Sequence, residues 1–442
     1  MPPAPPPPNA IAPPAQTVST QAALPDAAWW RAFGNPVIDA RVETALAANP
    51  DIAVARARLT RAHEAAVRAG AARYPAVSLS ASVTRETTTF LPEGIDERGA
   101  AVTDYLIGPS VSFDFDVFGA GRRLRQARGA DAEAVGFEAE AARLAVSADV
   151  VRAAIDAARS RARLDILDQL AADDRQTVES VQRLVDVRRK TIADLEAARS
   201  QLATDQALAP AARQQLAAAT IALALLTGRT PGEAEAVDLR LEAIADPGPP
   251  PGVLPAELVR RRPDVRAAEA RLRAANALIG VAVARQYPDL SLVGVISQET
   301  LDVSHLFSPA ANGGLAAVGV VAPLFQGGAL RSDVRAAEAG YRESGALYRK
   351  TVLSAVGQVS TVLQALAHDA EASAADDDAV SAADRALAAA QARYSLSHAD
   401  LLQVLSARQA LSRARLNTAD AQAQRLLDTV QLYAALGGAG VR

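Results

Sequence analysis

The stretch GVLPAELVRRRPDVRAAEARLRAANALIGVAVARQYPDLSLVGVISQE, Gly252 to Glu299, decides how this chain is read. It reads as a helix followed by a strand, and the chain has already used the same arrangement once. At an offset of about 213 residues it overlays NPDIAVARARLTRAHEAAVRAGAARYPAVSLSASVTRE, Asn49 to Glu86, matching Pro50 to Pro263, Asp51 to Asp264, Tyr74 to Tyr287, Pro75 to Pro288 and Ser78-Leu79 to Ser291-Leu292. Phe118-Gly119-Ala120-Gly121 recurs as Phe325-Gln326-Gly327-Gly328, and Leu226-Thr227-Gly228 as Ala435-Leu436-Gly437. Alanine-rich composition alone produces some self-similarity, but Tyr-Pro, Pro-Asp and Ser-Leu in one register require a tandem duplication.

The chain in order supports that reading. Residues 1–27 carry a proline run, MPPAPPPP, which reads as an extended, solvated linker. Trp29 and Trp30 then precede the first helix as a hydrophobic lid over its start. That helix is expected over 37–72, with a break near Asn49-Pro50 and a stop at Tyr74-Pro75. Val77, Leu79, Ala81 and Val83 alternate with Ser78, Ser80, Ser82 and Thr84, the period of a strand with one apolar and one polar face. An exposed loop is expected over 85–104, and its return strand over 105–118, where Val111, Phe113, Phe115 and Val117 alternate with Ser110, Ser112, Asp114 and Asp116. From 122 to 188 there is no proline, and a helix of that length extends about 100 Å. A second helix returns over 193–226, with Pro210 as a point of kinking. The second half repeats this order: helix 255–286, strands 290–297 and 316–325, helix 330–394, a short turn, and helix 400–436.

Helix lengths and strand number set the architecture. In each half the two shorter helices, laid end to end, match the long one of about 100 Å. Four strands per chain are too few to close a membrane barrel, for which about eight is the smallest number. An apolar strand face that one chain cannot bury requires an oligomer; periodicity leaves its order open, and three copies would supply twelve strands. The fold class expected is a mixed α and β membrane protein.

Composition excludes several classes. Half of the residues are apolar, but alanine dominates and aromatics make up 4%, so the helices must pack closely through small side chains. Net charge is −4 and basic residues are interleaved with acidic ones, which leaves no basic face for nucleic acid. No cysteine is present, which excludes disulfides and thiolate metal sites. No apolar window reaches the roughly 18 to 20 residues of a spanning helix, so a membrane crossing must use strands. Neither an enzyme, a cofactor nor a metal site is expected. His63, His305, His368 and His398 are dispersed without ligand spacing, Asp376 to Asp378 read as a solvated helix face, and Gly327-Gly328 as a strand-to-helix turn.

At Leu254-Pro255, Arg261-Arg262-Pro263-Asp264 and Ala275-Asn276-Ala277-Leu278-Ile279-Gly280 the sequence resembles the TolC-type outer-membrane efflux proteins, and within them the NodT branch that serves resistance-nodulation-division (RND) pumps. TrpTrpArgAlaPheGlyAsnPro, AspValPheGlyAlaGlyArgArg and AlaLeuGlyGly add to the resemblance, which covers nearly everything from Ala28 onward. It implies a homotrimer with a twelve-stranded outer-membrane β-barrel, continued by a periplasmic α-helical barrel and girdled by an equatorial collar. It also implies an exit duct for small molecules, docked at its tips on a periplasmic adaptor and through it on an inner-membrane pump of RND type. The expected division is a linker at 1–27, a first repeat at 28–228, an equatorial connector at 229–254, a second repeat at 255–438 and a tail at 439–442.

The two helix-to-helix turns are the implied adaptor-contacting tips, where the family carries a Gly-x-x-Ser-x-x-Asp pattern. In the first, Arg188 takes the glycine position, Thr191 the serine, and Asp194 is kept; in the second, Ser397 replaces the glycine, followed by His398, with Asp400 and Gln403 at the remaining positions. A left-handed backbone at either replaced glycine costs about 1 kcal/mol or more. The family's closing ring, often acidic, falls on Leu402, Gln403 and Ser406, with Asp400 as the nearest carboxylate. Closure is therefore expected to rest on Leu402 packing and hydrogen bonds. Members of this branch begin with a lipoprotein signal and an acylated cysteine; with neither in this sequence, a truncated or misassigned start is expected, with Met1 inside the mature linker.

Two rival readings remain to be weighed. A soluble coiled-coil scaffold would explain the long helices but leaves four alternating strands at matching places in both halves unexplained. Within the family, a type I secretion or metal-export duct is the alternative, and the Arg-Arg-Pro-Asp stretch argues more against the former than the latter.

Overall fold

The computed structural model describes residues 28–87, 101–236, 238–247, 260–396 and 400–438. The expectations for the proline-rich linker, the outer part of the loop at 88–100, the start of the helix at 255 and the tail fall outside these residues. The chain divides into two compact units, one formed by Met1–Ala57, Phe137–Arg266 and Arg349–Arg442, the other by Arg58–Gly136 and Ala267–Tyr348.

The second unit holds one four-stranded antiparallel sheet, with β1 (Ala76–Thr87), β2 (Ala101–Phe115), β3 (Asp289–Thr300) and β4 (Asn312–Val321) in sequential order. The register keeps the alternation in phase. Val77, Leu79, Ala81 and Val83 stand opposite Val111, Pro109, Ile107 and Tyr105, while Ser78 stands opposite Ser110, their hydroxyls 2.8 Å apart. Phe113 and Phe115 meet Leu292 and Leu290, which in turn meet Val318 and Val320. The apolar face is thus continuous across four strands, yet Leu79 is 72% and Val318 66% exposed. At about 25 cal/mol per Å² of apolar surface, a single chain forgoes most of the stabilisation that this face offers.

Several strand boundaries differ from the sequence expectation. β1 and β2 run further into the expected loop, because Arg85, Glu86 and Thr87 pair with Thr103, Val102 and Ala101. Strand β2 stops at Phe115 because Asp116 leaves the ladder to cap the next helix, accepting from the N–H groups of Gly121 at 2.9 Å and Arg122 at 2.7 Å. β4 starts at Asn312 and ends at Val321 rather than at Phe325, since Pro323 has no N–H to donate to a ladder.

The helices are α1 (Pro36–Ala48), α2 (Pro50–Ala71), α3 (Ala120–Asp186), α4 (Ile192–Gln206), α5 (Ala209–Leu226), α6 (Pro263–Ala284), α7 (Ala329–Ser395) and α8 (Leu401–Ala435). Both α3 and α7 contain 67 residues, the long helices that the sequence predicts. The returning helix of the first half, expected as one piece over 193–226, is two: it breaks at Ala207-Leu208, and Pro210 lies in the first turn of α5, where its missing N–H costs nothing. The helix expected from 255 is likewise interrupted, at Arg262, because Pro263 disfavours helical backbone in the residue before it.

These interruptions reveal the duplication in three dimensions. Asn49, ahead of Pro50, caps α2 and donates from Nδ2 to the Leu226 carbonyl at 2.9 Å. Arg262, ahead of Pro263, donates from Nη1 to the Ala435 carbonyl at 2.7 Å and grips Asp264 with two further bonds. Leu226 and Ala435 are the last residues of α5 and α8, and Gly228 and Gly437 follow them at φ 75° and 84°, left-handed caps that glycine adopts without a Cβ penalty. The same knot, a polar residue before a proline holding the terminal carbonyl of another helix, is therefore tied once per half.

The main core lies in the first unit. Phe33, Ile38, Val42, Val150, Val151, Ile155, Leu223 and Val430 are almost fully buried there among Ala154, Ala157, Ala158 and Ala423. The aromatic segment expected as a lid is part of this core: Trp29–Phe33 forms a 3-10 turn, and Trp29 stacks on Tyr433 with ring centroids 5.5 Å apart and donates to Ser147 Oγ at 3.3 Å.

Candidate functional site

Of the two turns between helices, the first is fully described. Helix α3 ends at Asp186 in a Schellman cap: Arg188 N–H bonds the Val185 carbonyl at 2.9 Å and Arg189 N–H the Leu184 carbonyl at 2.7 Å. Arg188 has φ 58°, the single non-glycine residue with positive φ among the described residues. The turn keeps the left-handed geometry of a glycine with an arginine in its place. Arg188→Gly is accordingly expected to stabilise the protein by about 1 kcal/mol in denaturant titrations, while Arg188→Val is expected to destabilise it.

Thr191 and Asp194, matched above to the family's serine and aspartate, form a reciprocal capping box at the start of α4. Thr191 N–H donates to Asp194 Oδ2 at 3.0 Å, and Asp194 N–H to Thr191 Oγ1 at 3.2 Å. The backbone hydrogen bond from Thr191, then that from its hydroxyl, holds the Asp194 carboxyl below its ordinary range. The cap is thus retained down to acidic pH.

Ser397 and His398 lie outside the described residues. Asp400 caps α8 by accepting from Leu401 N–H at 2.7 Å, and the same oxygen stands 3.7 Å from Lys190 Nζ. Lys190 also lies 5.6 Å from the centre of the Tyr394 ring at the end of α7. One cation of the first turn therefore touches both arms of the second. Sequence reasoning missed it, although Lys190 and Lys350 are the two lysines of an arginine-rich chain.

Below the turns, Val181, Leu195, Leu401 and Leu405 form a small buried cluster. On α8 this fixes orientation: Leu401, Val404 and Leu405 face inward, whereas Leu402, Gln403 and Ser406 share the opposite, exposed face, with Leu402 63% exposed. The structure brings those three together, and the neighbouring Asp400 carboxylate is engaged by the helix start and by Lys190.

One turn deeper is a polar cluster that the sequence reading did not single out. Asp174 of α3 and Asp205 of α4 are 2% and 3% exposed and face each other, with Arg408 of α8 beside them. A signal existed: Leu167, Leu170, Val181 and Asp174 recur at spacings of a single helix face, so an aspartate stands where a leucine is expected.

A sheet with an unburied apolar face, paired on only one side at β1 and at β4, attached in each half to a 67-residue helix and a return arm, defines a subunit of a membrane duct completed by further copies. The family described as outer membrane efflux protein matches residues 42–229 and 254–438, and the chain belongs to that family. Among relatives, the pyoverdine export outer membrane protein OpmQ of Pseudomonas putida is 32% identical over 98% of this chain and 93% of its own length. The toluene efflux pump outer membrane protein TtgI of Pseudomonas putida is 27% identical over 92% of this chain and 86% of its own. The crystal structure of VceC from Vibrio cholerae superimposes with a TM-score of 0.84 at 26% identity, covering 94% of this chain and 99% of that one.

The chain is thus a TolC-type outer-membrane component of an efflux system, an exit duct of mixed α and β fold. Members of the family are channel or duct proteins rather than enzymes. Among the described residues no helix is long and apolar enough to cross a membrane.

Proposed function

We propose that three copies of this chain close their sheets into a twelve-stranded barrel and their helices into a periplasmic duct. Its inner end is formed by the turns around Arg188 and Asp400. Thr191, Asp194, Arg188, Ser397 and His398 meet a periplasmic adaptor, which links the duct to an inner-membrane pump of RND type. The two repeats, 28–228 and 255–438, supply equal shares of the wall, and 229–254 belongs to an equatorial collar. The cargo is a small molecule handed on by the pump.

A single observation carries the assignment of the aperture: Leu402, Gln403 and Ser406 form an exposed face on a helix whose other side is anchored in a buried cluster. Three copies of that face, converging on an axis, would close with leucine contacts and amide hydrogen bonds. Asp400 is occupied elsewhere and contributes no free carboxylate ring.

Single-channel recording in planar bilayers, with cross-linking to count subunits, tests this reading. Trimers are expected, with a small basal current that rises several-fold in Leu402→Ala and is little affected by divalent cations. A strong divalent block abolished by Asp400→Ala would overturn the apolar closure. A monomer without conductance would overturn the duct assembly.

A further inference from the structure

Helix α8 begins at the aperture face and, two residues past Ser406, reaches the buried cluster of Asp174, Asp205 and Arg408. Two carboxylates in contact inside a protein have four acceptor oxygens and no hydrogen between them unless one is protonated. The partners present do not remove that conflict. Gln201 donates to Asp205 Oδ2 at 2.7 Å. Arg408 gives its short bond to Thr177 Oγ1 at 2.9 Å and stands 3.7 Å from Asp174 Oδ1. Asp174 Oδ2 is buried with no N–H or hydroxyl donor.

Among the described residues, the charged groups facing Asp174 are Asp173 from its own helix, Asp205 from α4 and Arg408 from α8. One cation thus stands against the two buried acids, with Asp173 adding repulsion.

We propose that Asp174 and Asp205 hold one shared proton, and that this proton positions the start of α8 so that the aperture stays closed while it is bound and loosens when it leaves. The inference rests on the reading that Leu402, Gln403 and Ser406 line the aperture. With the proton in place, an O–H from one acid donates to the other, the pair carries a single negative charge, and Arg408 balances it. Without it, two buried negative charges face one arginine, and the cheapest relief is for α8 to move away and admit water.

Burial pushes the Asp174 carboxyl up to about 7, the hydrogen bond with Asp205 and its repulsion add to this, and Arg408 opposes it. The direction follows from linkage: the closed state binds the extra proton, so closure is fully favoured below the ordinary carboxylate range, weakens as pH rises from there, and has lost the proton's contribution once pH passes through that value. Each pH unit between the ordinary carboxylate range and that value shifts the equilibrium toward the open state by up to about tenfold, and the shift levels off above it.

The full-length chain reconstituted in planar bilayers, recorded from about pH 5 to about pH 9, provides the test. Wild-type basal current is expected to rise as pH climbs toward about 7 and to level off above it. Asp174→Asn, whose amide donates to Asp205 at every pH, is expected to lose that rise and stay at the wild-type low-pH current. Arg408→Gln removes the group that favours ionisation, so its transition is expected to move to higher pH. A merely structural cluster behaves otherwise: both variants would raise current at all pH values. That result, a pH-independent wild type, or an Asp174→Asn channel with the wild-type rise would overturn the inference; a second carboxylate pair, half-buried Asp369 with buried Asp428, is unchanged in these variants and serves as the internal control.

Absence of any current would instead count against the aperture reading. Infrared spectroscopy of the same protein then still tests the proton. A protonated-carboxyl band that titrates near pH 7 and is missing in Asp174→Asn is expected, and its absence overturns the proposal.

Discussion

Phe33→Ala is expected to lower the stability of the protein by about 3–5 kcal/mol, the range for removing a fully enclosed aromatic ring. Phe33 is 0% exposed. Its ring meets Trp29 edge-on at 6.2 Å and Tyr433 at 6.3 Å. The backbone of the same residue accepts from Ala245 N–H at 2.9 Å, which fastens the connector to the start of the chain. Asn35, two residues on, donates to the Ala243 carbonyl at 3.2 Å, so collapse into the void would have to drag hydrogen-bonded backbone with it. Relaxation is therefore small and the cavity contribution large. Against a typical net stability of about 5–15 kcal/mol, the loss is enough to depress the yield of folded protein. Denaturant titration in detergent measures it, with Val54→Ala, 47% exposed, as a control expected to stay within about 0.5 kcal/mol. A loss for Phe33→Ala below about 1 kcal/mol would show that this aromatic turn is not part of the core.

Gly108→Val is expected to abolish the ordered sheet. Gly108 lies in β2 opposite Ser80 of β1, between the paired positions Ile107–Gln298 and Ser110–Val295 on its other side. A Cβ added there would come within 2.7 Å of the Ser297 Cα and closer still to the Ile296 carbonyl oxygen, both backbone atoms of β3. A flexible side chain could swing away, but backbone in a ladder can yield only by parting the strands. Separation at this position opens the β2–β3 pairing, the seam that joins the strands of the first repeat to those of the second. Overpacking normally costs about 1–3 kcal/mol, and a clash with backbone on a central strand exceeds that range. The expected result is loss of the heat-modifiable, trimer-sized band on gels and of all channel current. Gly313→Ala, whose new Cβ would meet the Ser297 hydroxyl at 3.3 Å, is expected to assemble normally. Normal assembly of Gly108→Val would mean that β2 and β3 are not in the register described.

Much of this was legible from local pattern. The repeat offset is carried by residue types that only certain backbones accept, and Asn49-Pro50 and Arg262-Pro263 each fall at a helix boundary. Alternation of Ser with Val and Leu fixed the face of β1, because side chains on a strand have a period of two whatever they later touch. Leu402, Gln403 and Ser406 came from the family resemblance, and the helical period of three to four residues agrees with their sharing one face. Strand ends were misjudged where a side chain was claimed by the next element, as Asp116 was by the start of α3.

Other features became visible only once separate helices were placed side by side. Arg188 was expected to burden the turn, and the fold imposes the left-handed conformation regardless, because the carbonyls of Leu184 and Val185 need their caps. Lys190 reaches Asp400 and Tyr394, more than 200 positions further on, and the sequence gives no period that connects them. Asp174 is buried only where α4 and α8 close over it. Sequence alone determined the duplicated order of helices and strands and the need for several copies, since backbone periodicity and the number of strands are local quantities. Only tertiary structure decided which charges are buried together, because desolvation depends on every element that packs against a group and on none of its sequence neighbours alone.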